Sequence, residues 1–520
     1  MLRAALTATL LLAACGPDDP GLDPCEQAAA HREECLGDYV TPPVCDPAAE
    51  AAAARILDMD CDQLATWAAG EQGKADGAFC DWLGTGCTPD EPIFTGPACA
   101  GASDCAAGDA CIEQHCTAGV DSDEFAAVMD RWTDSAETGG NATRLLVDNV
   151  DTRALRNQMM AGARDSIHFT ALLIEDDDAG WETVGLLADA ARRGVEVRVV
   201  VDATTQYTFS SYRLLDSLGE AGVQVLPFNP VTEWAGLRWQ IGISANQRLH
   251  EKILVVDGAE AIVGGRNVGD DYLEAGRWRD TCVYLTGPGV ADVQGVFTAL
   301  WDQLAAWERQ AGCPQDFTCP GDELSGDPFY TPDLADAGGA LTRPVYSDPR
   351  SQSTPHGYRA VLNLVRAARH TIYIANSYFV PPRRLRKHLK AAVARGVRVV
   401  VVTNSLHSTD AWWMYYASLN YYKELIGAGI EVYQYRGTET MHAKTLLVDG
   451  QVALVGSFNL DPRSATTNSE AMVLVRDGDA VGELADAFAR DLAYSDRASA
   501  DISVGDWIKA KAFRLVEPLL

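Results

Sequence analysis

The sequence predicts an α/β fold of two tandem, repeated lobes preceded by a small disulfide-rich leader. Three observations predict it. Arg193-Gly-Val-Glu-Val-Arg-Val-Val-Val-Asp202 is matched by Arg395-Gly-Val-Arg-Val-Val-Val-Val-Thr-Asn404, so a strand-like string recurs about two hundred residues on. Helix-period and strand-period patterns alternate through both copies, the signature of a helix-covered sheet. Ten cysteines, Cys25, Cys35, Cys45, Cys61, Cys80, Cys87, Cys99, Cys105, Cys111 and Cys116, crowd the segment before the repeats.

Taken in order, the chain of 520 residues opens with Met1-Leu-Arg, an apolar run from Ala4 to Ala14, and Leu12-Ala-Ala-Cys15. A basic start, a short apolar core and small residues before a cysteine read as a lipoprotein-type signal over residues 1–14, with Cys15 as the lipidation site. The run is shorter than the ~20 apolar residues that span a bilayer. The expectation is an exported, membrane-anchored lipoprotein of the bacterial periplasm or outer membrane, held by its N-terminal lipid.

Residues 15–120 form the cysteine-rich leader. An even number of cysteines in an exported segment with little apolar periodicity reads as a disulfide framework, and Cys99, Cys105, Cys111 and Cys116 are dense enough for a stapled unit. Zinc is the alternative, disfavoured because paired C-x-x-C spacing is absent. Residues 16–140 carry 26 acidic and 4 basic residues, so most of the chain's net charge of −31 lies there. This balance offers no basic footprint for nucleic acid. It also disfavours electrostatic adhesion to anionic lipid, which makes a covalent anchor useful.

A linker is expected at 121–140, the first lobe at 141–325 and the second at 340–520. Ala163-Arg-Asp-Ser-Ile-His-Phe169 matches Ala368-Arg-His-Thr-Ile-Tyr-Ile374, each closing a helix and opening a strand. Tyr358, Val361, Leu362 and Val365 show the helical spacing that leads into the second copy. Near-continuous apolar runs such as Val197 to Val201 suit strands buried on both faces. Cys313 and Cys319 are candidates to pair between the lobes, and Cys282 for a buried free thiol. The aromatic run Trp412, Trp413, Tyr415, Tyr416, Tyr421 and Tyr422 reads as a mostly packed helix, and the C-terminal Trp507 to Leu520 as either an amphipathic membrane-surface helix or a plain packing one.

The repeats carry a chemical motif. His250-Glu-Lys-Ile-Leu-Val-Val-Asp257-Gly leads to Gly264-Gly-Arg-Asn267, and His442-Ala-Lys-Thr-Leu-Leu-Val-Asp449-Gly leads to Gly456-Ser-Phe-Asn459. Each reads as a strand, an Asp-Gly turn and a second strand. Residues two apart on a strand share a face, so His250 points with Lys252 and His442 with Lys444. Asp257 and Asp449 fall at the turn and are expected to brace the hairpin. His31, His115, His168, His356, His370, His388 and His407 have no partner in the other copy and no metal-ligand spacing.

This doubled motif resembles the phospholipase D superfamily, over roughly residues 141–520. The resemblance implies one active site built across the pseudo-twofold axis, needing no metal or other cofactor. One neutral imidazole would attack phosphorus to give a phosphohistidine while the other, protonated, donates to the leaving alcohol. His250 and His442 are the catalytic pair, both chemically eligible as nucleophile, with a lean to His250. Lys252, Lys444, Asn267 and Asn459 would hold phosphate. A downstream carboxylate would orient each histidine, Asp280 in the first half and Glu470 in the second.

Phe228-Asn-Pro230, Gly264 to Tyr272, Thr403 to Asp410 and Ser457-Phe-Asn-Leu-Asp-Pro-Arg-Ser464 are similar to signatures of bacterial cardiolipin synthases, especially the C-type branch. They imply phospholipid substrates and transfer of a phosphatidyl group between lipids. Hydrolysis of headgroups is the runner-up. An exported nuclease or a non-catalytic binding module ranks behind both. A monomer suffices for one such site, and the oligomeric state is not legible.

Overall fold

The computed structural model describes residues 99–106, 109–112, 115–229, 247–311, 324–348 and 355–514, with Ala28 standing alone before them. The signal segment, Cys15, His31, the cysteines before Cys99, and Cys313 with Cys319 lie outside the described residues.

The strands in chain order are β1 (Ala110–Ile112), β2 (His115–Thr117), β3 (Thr138–Leu146), β4 (Ser166–Ala171), β5 (Glu196–Asp202), β6 (Gln224–Phe228), β7 (Ile253–Val256), β8 (Glu260–Gly264) and β9 (Cys282–Thr286) in the leader and first lobe. The second lobe holds β10 (Ala340–Ser347), β11 (Thr371–Asn376), β12 (Arg398–Asn404), β13 (Glu431–Tyr435), β14 (Lys444–Val448), β15 (Val452–Gly456), β16 (Glu470–Arg476) and β17 (Ser495–Arg497). Fifteen of them join in the order β17-β13-β12-β11-β14-β15-β16-β10-β3-β9-β8-β7-β4-β5-β6. Apart from the edge strand β17, the order reads the same from both ends once each strand is replaced by its repeat counterpart. The axis of the duplication runs between β3 and β10, which pair antiparallel.

The apolar runs behave as their composition dictates. β4, β5 and β6 are parallel, as are β11, β12 and β13, and β5 and β12 are buried except at their first residues. Helices supply the crossovers, including Asp178–Arg192 and Arg383–Ala394. Ile253, Val255 and Val263 share one buried cluster with Leu447, Val455 and Val473, so the two lobes pack through a common core. Cys282 is a buried free thiol. A Cβ on Gly264 would sit 2.3 Å from its sulfur, which accounts for the glycine.

The described end of the leader is stapled by Cys99–Cys111 and Cys105–Cys116 around the β1–β2 hairpin. Cys99, Cys105 and Cys116 lie close enough to suggest a metal cluster, but each sulfur is committed to a disulfide. Residues 121–140, read from their composition as a linker, are folded instead. Ser122 caps a helix over Asp123–Thr133 that buries Phe125, Met129 and Trp132, and β3 begins at Thr138. Val120, Phe125 and Met129 enter the core of the second lobe. Sequence neighbours of the first lobe are therefore strapped to the second.

Candidate active site

Both motif hairpins turn at an Asp-Gly pair with positive φ, 54° at Asp257 and 54° at Asp449. Each aspartate accepts hydrogen bonds from three consecutive backbone N–H groups: Arg164, Asp165 and Ser166 in one lobe, Arg369, His370 and Thr371 in the other. The carboxylates thus tie each hairpin turn to the start of the neighbouring antiparallel strand, β4 or β11.

Both motifs depart from their reading as strands starting at the histidine. β7 begins at Ile253, so His250 and Lys252 precede it, and β14 begins at Lys444, so His442 precedes it. The reason is a crossing of the lobes. Leu249 forms an isolated parallel bridge with Ser469, and Arg279 one with Met441. His250 N donates to Ser469 O at 3.0 Å and His442 N to Arg279 O at 2.6 Å. Each histidine segment is held by the backbone of the opposite lobe.

The carboxylates cross likewise, which corrects the within-half assignment. His250 Nδ1 lies 2.8 Å from Glu470 Oε2, and His442 Nδ1 lies 2.6 Å from Asp280 Oδ2. Asp280 and Glu470 are both histidine partners, but each serves the other half. A carboxylate on Nδ1 fixes the tautomer and leaves Nε2 as the reactive nitrogen. All four side chains are buried.

Lys252 Nζ donates to His250 O at 2.6 Å and Lys444 Nζ to His442 O at 2.5 Å, so each ammonium is folded back beside its histidine. Lys444 Nζ is also 2.8 Å from His442 Nδ1. With Nδ1 donating to Asp280, the lysine hydrogen is directed to the carbonyl. Asn267 Nδ2 donates to the Tyr272 hydroxyl at 3.1 Å, and Asn459 Oδ1 accepts from Ser377 Oγ at 3.0 Å. Both amides lie buried in the strand-end loops that follow the hairpins.

The electrostatics break the symmetry. Burial alone would raise Asp280, but the His442 and Lys444 charges and the histidine hydrogen bond hold it at about 2. Glu470 is pushed up by burial to about 7, against the Lys252 charge and hydrogen bonds from Ser457, Ser464 and Asn468. Burial, then the Lys252 and Lys444 charges, keep His250 well below its ordinary value. His442 is lowered by burial and Lys444, with Asp280 opposing. Burial lowers Lys252 to about 7 and Lys444 to about 8. Both histidines are neutral in the resting site, and the firm Asp280 anion makes His442 the easier of the two to protonate, because Glu470, raised to about 7, gives His250 less support. Such a pair can serve as nucleophile and acid.

Several site residues were not singled out from sequence. Asp202 accepts from Leu249 N at 3.0 Å and Asn404 from Met441 N at 2.9 Å, holding the residue before each histidine. They end the matched apolar strings, and that was their signal. Ser457 and Ser464 donate to Glu470 at 2.5 Å and 2.7 Å. Tyr272, Trp278 and Tyr378 surround the His442 ring with centroids at 5.3, 5.3 and 6.3 Å. His407 is exposed in the loop after β12, and its described contacts are with Ser405.

Known proteins agree with this architecture. A family described as "Cardiolipin synthase, PLD-like domain" matches residues 157–301 and 361–492, one segment per lobe. Cardiolipin synthase 2 of Bacillus cereus is 32% identical over 389 residues, covering 73% of this chain and 70% of that protein. Cardiolipin synthase A of Pseudomonas fluorescens is 31% identical over 390 residues, covering 73% and 75%. The crystal structure of phosphatidylserine synthase from Haemophilus influenzae shares the fold, with a TM-score of 0.57 at 18% identity over 73% of this chain and 95% of that one. A duplicated α/β protein with paired histidine hairpins is the class that fold and site define. Within it, the chain belongs to the phospholipase D-like family, in the cardiolipin synthase group.

Proposed function

We propose that the protein is a phosphatidyltransferase of the cardiolipin synthase type, acting on phospholipid phosphodiesters with His250 as nucleophile and His442 as general acid. The observation that carries this reading is the crossed pair of histidine–carboxylate contacts, with Asp280, held at about 2, beside His442 and Glu470, raised to about 7, beside His250. In the first half-reaction His250 Nε2 donates its lone pair to phosphorus. The bond from phosphorus to the headgroup oxygen breaks, and His442 gives its proton to the leaving alkoxide. The product is a phosphatidyl-histidine. In the second, an acceptor alcohol gives its proton to His442 as its oxygen attacks phosphorus, and the P–N bond breaks. Lys252 and Lys444 meet the phosphate charge, and the arriving anion favours their ammonium forms. Asn267 and Asn459 add donors from the two loops.

Purified protein given phosphatidylglycerol is expected to yield diphosphatidyl product. Phosphatidic acid alone would make it a hydrolase. His250→Ala and His442→Ala are each expected to reduce turnover by at least about 10³-fold, the scale of losing a nucleophile or its acid partner. Wild-type turnover in either variant overturns the assignment. Rapid denaturation of wild type at alkaline pH, where the acid-labile P–N bond survives, should trap label from lipid labelled in its phosphate on His250.

The protein is also proposed to be exported and anchored through Cys15. The two disulfides of the described leader support an oxidising compartment. Incorporation of labelled fatty acid, abolished by Cys15→Ser, tests the anchor.

A further inference from the structure

Five of the eleven large hydrophobic residues that are exposed among the described residues belong to two helices of the second lobe: Trp412, Trp413, Val504, Trp507 and Ile508. The helix Val504–Arg514 lies along Trp412–Gly427. Asn420 Nδ2 donates to Ala510 O at 2.7 Å, Lys509 Nζ to Tyr416 OH at 2.9 Å, and the Phe513 ring meets Trp412 at 5.0 Å between centroids. Ala510 is fully buried against the second-lobe core. The opposite face of the same helix leaves Trp507 at 52%, Ile508 at 58% and Val504 at 76% exposure, and Trp412 is 50% exposed at the start of its partner. Helical propensity does not call for tryptophan and isoleucine in water, and nothing in the local packing needs these side chains exposed.

One hydrogen bond and two residues of chain link this face to the histidines. Tyr378, whose ring is 6.3 Å from that of His442, donates its hydroxyl to Asp410 at 2.7 Å, and Asp410 stands two residues before Trp412. The chain thus runs from the histidine wall to the exposed tryptophans within one short loop. Lys511 is exposed on the same helix, while Lys509 is held between Tyr416 and Asp506, whose Oδ1 lies 3.7 Å from its Nζ.

We propose that this face, Trp412–Trp413 with Trp507–Ile508, is a bilayer-docking surface that seats the mouth of the cleft at the lipid headgroups. The inference rests on the phospholipid reading of the site. Tryptophan rings settle at the headgroup level, an aliphatic side chain enters the acyl boundary, and an exposed lysine faces anionic phosphates. A phospholipid then reaches the histidines by moving along the surface instead of crossing water, and the N-terminal lipid serves as a tether, not an orienting device.

The test uses the full chain with vesicles of phosphatidylglycerol and phosphatidylethanolamine carrying brominated acyl chains, which quench tryptophan at the bilayer. Wild type is expected to be quenched. Trp413→Ser with Trp507→Ser should leave the remaining tryptophans quenched several-fold less. Ile508→Ser, which removes no fluorophore and sits at an exposed position, should weaken vesicle binding and turnover on vesicles while leaving turnover of a monomeric short-chain phosphatidylglycerol unchanged. An unquenched wild type, as when another segment or a second copy covers the face, overturns the proposal. So do variants that bind and turn over vesicles like wild type, or that lose monomeric and vesicular turnover equally. Quenching needs no catalysis, so a quenched but inactive protein would refute the enzymatic reading and leave the surface standing.

Discussion

At the scale of single residues, the difference between Asp280 and Glu470 does the most. The shorter side chain sits where Gly265 leaves room, since a Cβ there would lie 2.4 Å from Asp280 Oδ1. The matching position in the second lobe is Ser457, which donates to the longer Glu470. Asp280→Asn removes the anion that orients His442 and favours its proton, so kcat is expected to fall about 10⁴-fold, the scale seen when a buried aspartate behind a catalytic histidine becomes an amide. Steady-state kinetics would check it, and retention of more than a tenth of wild-type kcat would defeat it. The two carboxyls also load stability with opposite sign. Asp280, held at about 2 against an ordinary 3.8, stabilises the fold above pH 3.8, and this is lost as pH falls toward 2. Glu470, raised to about 7 from 4.5, makes folding progressively less favourable as pH climbs between those values. Glu470→Gln should flatten that decline: its urea midpoint relative to wild type is expected to be higher at pH 8 than at pH 5.

At the scale of elements, the hairpin and its brace form the repeated unit. Asp449→Ala leaves three N–H groups at the head of β11 without their acceptor. A stability loss of about 1–3 kcal/mol is expected, tempered by the partial exposure of the turn, with KM unchanged. Equilibrium denaturation beside kinetics separates this from a substrate-binding role, which would raise KM instead. These units were readable in sequence because strand parity, the Asp-Gly turn and the matched spacing are all local. The partners of the histidines were only half readable. Asp280 and Glu470 announce themselves as carboxylates after each hairpin, but spacing does not say to which lobe a strand end points. The crossing depends on Leu249 bridging Ser469 and Arg279 bridging Met441, contacts separated by more than 150 residues. The folding of residues 121–140 was hidden for a similar reason, since their apolar partners Val361 and Val365 lie in the second lobe.

At the scale of the molecule, the shared sheet makes the active site a property of both lobes together. β3 and β10 fuse the halves, the common core fills the space between them, and each histidine meets its carboxylate only across that seam. Beside the site an electrostatic fastener crosses the seam. Arg279 of the first lobe makes a bidentate pair with Asp491 of the second, Nε to Oδ1 at 2.9 Å and Nη2 to Oδ2 at 2.7 Å, with both side chains largely buried. The same Arg279 offers its carbonyl to His442 N and immediately precedes Asp280. Removing one partner of a buried pair strands the other charge, a cost of about 3–5 kcal/mol. Asp491→Ala is therefore expected to lower the urea midpoint and also to reduce kcat, because the displaced Arg279 takes with it both the backbone acceptor and the carboxylate of His442. The Arg279→Met, Asp491→Leu double variant removes both charges and should recover much of the stability. If it recovered kcat as fully as stability, Arg279 would be merely a fastener. Recovery of the midpoint without recovery of turnover is the outcome that ties the lobe seam to the chemistry.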